Sequence, residues 1–249
     1  MGLRDKIGPT VNDPKGLKER VKPAARQVIR RLPGRRVRWG TLRRTKPFSD
    51  HFGWDRGVPV DRFYIEGFLE RNKQYIRGDA LEVRGPGYVK KYGGDGVTKV
   101  HVVDIDPANP QATHVADLGV EGSVPSAAYD SIVFTQTLHC IPDDEAAMRN
   151  LWNSLRPGGT MLVTVPSTIR IDNELPDSDY WRYTPMGLEW LIRKVAGPDA
   201  VIHAEGHGNA LTAIAFLAGI AQEELSAREI AVEDSNFPIV ACARVMKSS

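Results

Sequence analysis

The chain of 249 residues is long enough for one large domain or two small ones, and 41% hydrophobic residues can supply a sizeable core. No stretch approaches the roughly 20 apolar residues of a membrane span, and the N-terminus lacks the apolar run of a signal peptide. The two cysteines, Cys140 and Cys242, lie in apolar surroundings, which predicts free thiols in a reducing cytoplasm rather than disulfides or a zinc site.

The net charge of +2 conceals two oppositely charged regions. Residues 1–46 carry 15 Lys and Arg against three acids, whereas residues 47–249 carry 18 basic and 28 acidic side chains. Apolar residues recur at helical spacing from Val21 to Leu32, and a basic amphipathic element of this kind can lie on the anionic inner surface of a membrane. A solvated, flexible arm is the alternative interpretation. Nucleic-acid binding is disfavoured, because basic charge alone is not a recognition motif.

Residues 47–78 are rich in aromatic side chains and predict a helical cap before the main domain. Tyr64, Phe68 and Tyr75 recur near helical spacing. Asp61 is the expected N-cap of this helix, and Gly78 is the expected residue just beyond its end.

From residue 80 onward, apolar strand candidates alternate with helix candidates. Continuous apolar runs are typical of parallel strands that are covered on both faces, and the alternation predicts an α/β fold with a doubly wound, mainly parallel sheet. The expected strands are Ala80–Arg84, Lys99–Asp104, Thr113–Asp117, Ser131–Thr135, Thr160–Val165 and Ile239–Val245. The expected helices are Asp143–Leu155, Met186–Val195 and Leu211–Glu224.

Polar residues and glycines follow the expected strands at their carboxyl ends. In an open α/β sheet, ligands bind beyond these ends, at the point where the strand order reverses. An acid about 20 residues after a glycine turn is the usual partner of a ribose hydroxyl. The strand ends carry, in order, Glu82 with Gly85-Pro86-Gly87, Asp104 with Asp106, Asp117-Leu118, and Thr135-Gln136 with His139.

With these strand-end residues in this order, the chain resembles a class I S-adenosylmethionine-dependent methyltransferase, of the group called methyltransferase type 11-like. The resemblance covers roughly residues 81–247 and is strongest in "YDSIVFTQTLHCIPDDEAAMRNLWNSLRPGGTMLVTVPS", Tyr129–Ser167. It implies a Rossmann-like, seven-stranded sheet with an N-terminal basic and helical extension. The chain also resembles a narrower bacterial group associated with glycan and cell-envelope gene sets, through Tyr92-Gly93-Gly94-Asp95, Asp106-Pro107-Ala108-Asn109-Pro110, Val115–Leu118 and Asp179–Thr184.

The resemblance implies S-adenosylmethionine as cofactor and a role for each strand end. It places the methionine moiety at Glu82, Gly85 and Gly87, the ribose at Asp104 or Asp106, the adenine at Asp117 and Leu118, and the underside of the cofactor at Thr135 and Gln136. Other interpretations stay open for three of these acids: Glu82 as a brace for the loop, Asp106 as an Asp-Pro turn residue, and Asp117 as a helix cap or turn residue.

The loop after the first strand departs from the family pattern of acid-x-Gly-x-Gly-x-Gly. Arg84 occupies the place of the first glycine and Tyr88 that of the third. Only 15 residues, Gly85 to Lys99, join the first two strands. Because a parallel crossover needs a dozen or more residues, we expect a helix of only one or two turns. Arg84 or Arg56 is the expected partner of the cofactor carboxylate.

Two segments carry the candidate chemistry on the acceptor. His139 is the first choice for a general base at the mouth of the sheet, and Asp179 is the second. Tyr180, Trp181 and Arg182 suit stacking on a sugar or ring face. The alternatives are a structural histidine that caps the loop and an aromatic cluster that closes the core. No metal site is expected.

The expected activity is methyl transfer to oxygen, with a sugar, glycan-like or other small-molecule acceptor. The alternative is a non-catalytic methyltransferase-like module that partners a glycosyltransferase, which the altered loop at residues 84–88 would favour. A nucleotide-dependent dehydrogenase is disfavoured, because residues 85–90 do not supply a Gly-x-Gly-x-x-Gly that opens a helix.

Overall fold

The computed structural model describes residues 37–198 and 200–248, and the chain divides into two units, Met1–Thr45 and Lys46–Ser249. In the first unit, residues 37–45 are described and contain a short 3-10 turn at Gly40–Leu42. The amphipathic element expected between residues 21 and 32, and with it the expected contact with an anionic membrane, lies outside the described residues. Within the described ranges, no helix has the length and apolar character needed to cross a bilayer.

A single sheet of seven strands forms the centre of the second unit, in the order β3-β2-β1-β4-β5-β7-β6. Strands β1 to β5 run parallel, whereas β7 is antiparallel to both β5 and β6. The strand order reverses between β1 and β4, which confirms the doubly wound, mainly parallel fold. The strands are β1 Gly78–Val83, β2 Val97–Asp104, β3 His114–Val115, β4 Tyr129–Thr135, β5 Leu155–Pro166, β6 Val201–His207 and β7 Val240–Met246.

Six helices of the described residues accompany the sheet, and successive strand residues point to opposite faces. Ile132 and Phe134 of β4 pack with α3 and α4, whereas Val133 packs with α1 and α5 on the other face. Both faces are therefore covered, which is why the strands are continuous apolar runs. The helices are α1 Val60–Arg71, α2 Gly87–Tyr92, α3 Asp144–Ser154, α4 Pro185–Ala196, α5 Ala210–Ala218 and α6 Ala227–Ile230.

Helix α1 begins and ends earlier than the sequence pattern indicates. It begins at Val60, with Pro59 at the N-cap position, so the expected N-cap Asp61 lies inside the first turn. It ends at Arg71, because the Asn72 side chain donates to the carbonyl of Phe68 (2.9 Å) and satisfies a terminal acceptor. The expected end at Gly78 was wrong.

Helix α5 and strand β6 also differ from expectation. The helix stops at Ala218, six residues before the expected end, because Gly219 adopts a left-handed conformation (φ +70°). A Cβ at Gly219 would lie 2.4 Å from the Ser49 carbonyl oxygen, so no larger residue fits there. Strand β6 was not expected, because Val201–His207 is a partly exposed edge strand in which His and Glu interrupt the apolar run.

Candidate active site

A cavity of about 630 Å³ opens at the carboxyl ends of β1, β2 and β4, where the strand order reverses. One part of its wall, called here the strand side, comes from the strand ends. The rest of its wall, called the loop side, comes from residues 52–62, residues 139–142 and the segment after β5. The strand side comprises Val83, Arg84, Val103, Asp104, Ile105, Asp106, Ala116, Asp117, Leu118, Gln136 and Thr137, and the loop side includes Phe52, Trp54, Asp61, Arg62, His139, Ile169, Asp172, Leu175 and Tyr180.

Asp104 and Asp106 both line the strand side, in different hydrogen-bonded states. Asp104 accepts from the Asp106 amide (3.1 Å) through one oxygen and from the Asn109 side chain (2.6 Å) through the other. Asp106 accepts from the Ala108 amide (2.8 Å), which is the turn geometry that the sequence left open for it. Both acids thus line the cavity, and Asn109 fixes the orientation of Asp104.

The turn after β3 is positioned by a residue that sequence reasoning missed. Asp117 lines the cavity and accepts from the Gly119 amide (2.8 Å). The buried Asn150 side chain of α3 donates to the carbonyls of Leu118 and Val120 (both 2.7 Å). The signal in the sequence was Asn150 itself, a side-chain amide within the otherwise apolar stripe of the helix. A buried amide needs hydrogen-bond partners.

The two residues at the end of β4 separate in the structure. Gln136 lines the cavity with its backbone in a left-handed conformation (φ +46°). Its backbone amide donates to the Thr164 carbonyl of β5 (2.8 Å). Thr135 does not line the cavity, and its carbonyl accepts from the Thr137 hydroxyl (2.9 Å). The chain therefore turns sharply at Gln136 and directs Thr137 and His139 to the cavity wall.

The loop after β1 lies at a second, more open hollow of about 610 Å³, which Glu82, Gly85 and Gly87 line. Glu82 is only 4% exposed, and its carboxylate accepts from the amides of Tyr88 (3.0 Å) and Val89 (2.8 Å) at the start of α2. Burial raises the pKa of Glu82 to about 6. This is the geometry of a loop brace, and none of the three residues lines the main cavity.

Two charged residues of α1, Asp61 and Arg62, form part of the loop side. The Arg62 Nε atom lies 3.7 Å from Asp61 Oδ1, and both atoms are buried without a hydrogen-bond partner among the described residues. The Arg62 guanidinium also contacts the Tyr88 hydroxyl (3.3 Å). Burial raises the pKa of Asp61, and the Arg62 charge opposes this rise. Sequence reasoning missed this pair, because it assigned Asp61 to a helix cap.

His139 lines the cavity with an unusual electrostatic character. Its Nδ1 atom is buried and has no hydrogen-bond partner among the described residues. Burial lowers the pKa of His139 to about 4, so the imidazole is neutral at pH 7. Its carbonyl accepts from the amides of Tyr180 (2.8 Å) and Trp181 (3.2 Å), which fixes the later segment against it.

Of the four residues expected from Asp179 to Arg182, only Tyr180 lines the cavity. The Asp179 side chain is 2% exposed and binds the Arg182 guanidinium (2.8 Å) and the Asp172 amide (2.9 Å). The indole of Trp181 donates to the Ile141 carbonyl (2.9 Å). These three side chains therefore hold the wall from behind rather than forming its surface.

Comparison with known proteins agrees with this architecture. Residues 85–196 match the family model described as "Methyltransferase domain". A SAM dependent methyltransferase from Archaeoglobus fulgidus is 15% identical, with 75% of this chain and 94% of that chain covered and a TM-score of 0.50. An S-adenosylmethionine dependent methyltransferase from Mesorhizobium loti is 13% identical, with 78% and 100% covered and a TM-score of 0.51. At these identities the likeness is one of fold. A search of the curated proteins gave no match.

Proposed function

We propose that this chain, a class I S-adenosylmethionine-dependent methyltransferase, methylates a hydroxyl oxygen of a sugar or glycan-like acceptor bound on the loop side. The observation that carries the proposal is the neutral, unpartnered imidazole of His139, which lies in the same cavity wall as exposed aromatic side chains. A hydroxyl acceptor needs a base for its proton, whereas an aromatic wall suits the apolar face of a sugar ring.

The residues of the cavity fit the cofactor, S-adenosylmethionine. Five aspartates line the wall against two arginines, which suits a molecule with a sulfonium and an ammonium group. Asp104 would accept the ribose hydroxyls, and Asp117 with Leu118 would border the adenine. The cofactor supplies an electrophilic methyl group on sulfur.

His139 is proposed to accept the proton of the acceptor hydroxyl on its imidazole ring as the oxygen attacks. Its lowered pKa keeps the imidazole in the unprotonated form that a base requires at neutral pH. The negative charge of Asp179 acts on His139 and raises the pKa of the imidazole against burial, so it would favour the imidazolium as it forms. Asp179 would thus act through His139, from behind the cavity wall.

The loop side offers surfaces that match a carbohydrate. Trp54 and Tyr180 are 56% and 48% exposed although both line the cavity. Flat aromatic faces can cover the C–H groups of a sugar ring, and the Asp172 carboxylate, which lines the same cavity, can accept hydrogen bonds from its hydroxyls. The acidic wall disfavours an acceptor that carries several phosphates.

Two measurements test the proposal in sequence. Calorimetric titration of S-adenosylhomocysteine should give micromolar binding, which Asp104→Ala abolishes and Asp106→Ala weakens less, because Asp106 is engaged in its own turn. Transfer of isotope-labelled methyl groups should then be measured on matched panels of saccharides and amines. Label found only in amines would contradict the acceptor class, whereas absent binding of S-adenosylhomocysteine by folded protein would contradict the cofactor site.

A further inference from the structure

We propose that Arg84 binds the carboxylate of the cofactor's amino-acid end, a contact that a glycine at the same position cannot make. The inference rests on the proposed cofactor site on the strand side. It concerns one side chain at the end of β1, which lines the main cavity although the glycines that follow it do not.

The backbone at Arg84 has a conformation that side chains disfavour. Its φ is +66°, in the left-handed region where a Cβ crowds the chain. The backbone is fixed on both sides, because its amide donates to the Val103 carbonyl (2.9 Å) and its carbonyl accepts from the Asn109 side chain (2.7 Å). Strain of this kind persists where the surroundings over-determine the conformation, and such positions cluster at ligand sites.

The same asparagine connects Arg84 to the expected ribose partner. Asn109 Nδ2 contacts both the Arg84 carbonyl (2.7 Å) and a carboxylate oxygen of Asp104 (2.6 Å). Arg84 therefore starts beside the ribose position, and the amino-acid end of the cofactor is attached to that ribose through sulfur. A long side chain at Arg84 is well placed to follow the ligand in that direction.

The charges of the cavity favour Arg84 over the other cation in the wall. Arg62 already lies 3.7 Å from the Asp61 carboxylate and contacts the Tyr88 hydroxyl. His139 is neutral at pH 7 because burial lowers its pKa to about 4. No described carboxylate lies within ion-pairing distance of the Arg84 guanidinium, and Arg84 is exposed. Among the described lining residues, it is the cation that remains available to an anion.

The aspartates of the wall make such a cation necessary. Five carboxylates attract the sulfonium and ammonium groups of the cofactor, but they repel its carboxylate. An arginine offers a planar fork of donors that matches a carboxylate in two hydrogen bonds. Arg84 therefore supplies the charge complement that the rest of the described wall lacks.

The experiment compares two ligands by calorimetry: S-adenosylhomocysteine, and 5′-deoxy-5′-methylthioadenosine, which keeps the adenosine and the thioether but lacks the amino-acid end. Arg84→Gly should weaken binding of S-adenosylhomocysteine by about tenfold to hundredfold, as expected for charged hydrogen bonds. Binding of methylthioadenosine should change by less than about twofold. Arg84→Lys, which keeps the charge without the planar fork, should lie between the wild type and Arg84→Gly.

Arg84→Ala is the matched control for the backbone. It removes the guanidinium but keeps a Cβ at positive φ, so it should bind both ligands as Arg84→Gly does and unfold at a lower temperature than Arg84→Gly. Equal weakening of both ligands, or unchanged binding of S-adenosylhomocysteine, would overturn the role of Arg84. Failure of the wild type to bind either ligand would instead overturn the cofactor site itself, so the two failures are distinguishable.

Discussion

The strand side and the loop side of the cavity are held together in different ways. On the strand side, the carboxylates of Asp104 and Asp117 accept hydrogen bonds from backbone amides two residues away. The Gln136 backbone amide donates a hydrogen bond to the neighbouring strand. On the loop side, Arg170 lies 4.0 Å over the ring of Phe52, more than 100 residues earlier in the chain. The first arrangement follows from the sheet, whereas the second depends on contacts between two irregular segments.

This difference is consistent with two separate roles, in which the strand side binds the cofactor and the loop side binds the acceptor. Local hydrogen bonds to the backbone keep the strand side in one shape, as a site for an invariant ligand requires. The loop side is tied by side chains such as Arg170, whose guanidinium also contacts the Asp50 carbonyl, and by Asn173, which donates to the same carbonyl (3.4 Å). Changes on the loop side should therefore alter acceptor use and leave cofactor binding almost unchanged.

The largest effect is expected at His139, the proposed base on the loop side. His139→Ala should lower kcat by roughly 10²- to 10⁴-fold, the usual contribution of a general base, while the Kd of S-adenosylhomocysteine changes by less than about twofold. His139→Gln serves as the control of similar size that can donate and accept hydrogen bonds but cannot act as a base. A decrease in kcat of less than tenfold in both variants would contradict the role of His139 as the general base.

The pH dependence of the same reaction gives a second test of His139. Burial lowers its pKa to about 4, so the folded enzyme keeps the neutral base at every pH well above that value. The profile of kcat/KM should therefore be flat between about pH 6 and 8 and fall only as the pH approaches 4. An acid limb near the ordinary histidine value of 6.5 would show that the imidazole is not buried in this way.

A smaller effect is expected from Asp179, which supports the loop side. Asp179→Asn removes a nearly buried charge opposite Arg182 and should cost roughly 2–3 kcal/mol of stability. The KM for the acceptor should rise about tenfold and kcat should also fall, because Asp179 no longer favours the imidazolium of His139, while the Kd of S-adenosylhomocysteine stays unchanged. Trp181→Phe is the matched control, because it removes one hydrogen bond to Ile141, worth about 1 kcal/mol, from the same segment. If the Kd of S-adenosylhomocysteine rose as much as the KM for the acceptor, the strand side and the loop side would be coupled.

The sequence predicted the strand side far better than the loop side, for a physical reason. Buried parallel strands are recognisable as apolar runs, and the acids that follow them, such as Asp104 and Asp117, meet at one edge because of the topology. Asp61 lines the cavity only because α1 packs on one face of the sheet, and no local pattern indicates this. Arg84 was seen to replace a glycine, but its positive φ depends on Asn109, 25 residues later in the chain.

The smallest expected effect tests what holds the loop after β1. Burial raises the pKa of Glu82 to about 6, above its ordinary value of 4.5, so between these values the folded protein binds more protons than the unfolded chain. Stability from this group is complete below pH 4.5 and falls by about 2 kcal/mol as the pH rises through 6.

Glu82→Gln should abolish that part of the pH dependence, because the amide does not titrate. Urea unfolding at pH 4.5, 5.5 and 7 measures it, with Glu66→Gln as a control in an exposed pair with Lys91. The variant should also be less stable than the wild type at pH 4.5, because Gln can only partly replace a carboxyl that accepts from two amides. An unchanged slope in Glu82→Gln would mean that other groups, and not this brace, set the stability of the loop in that range.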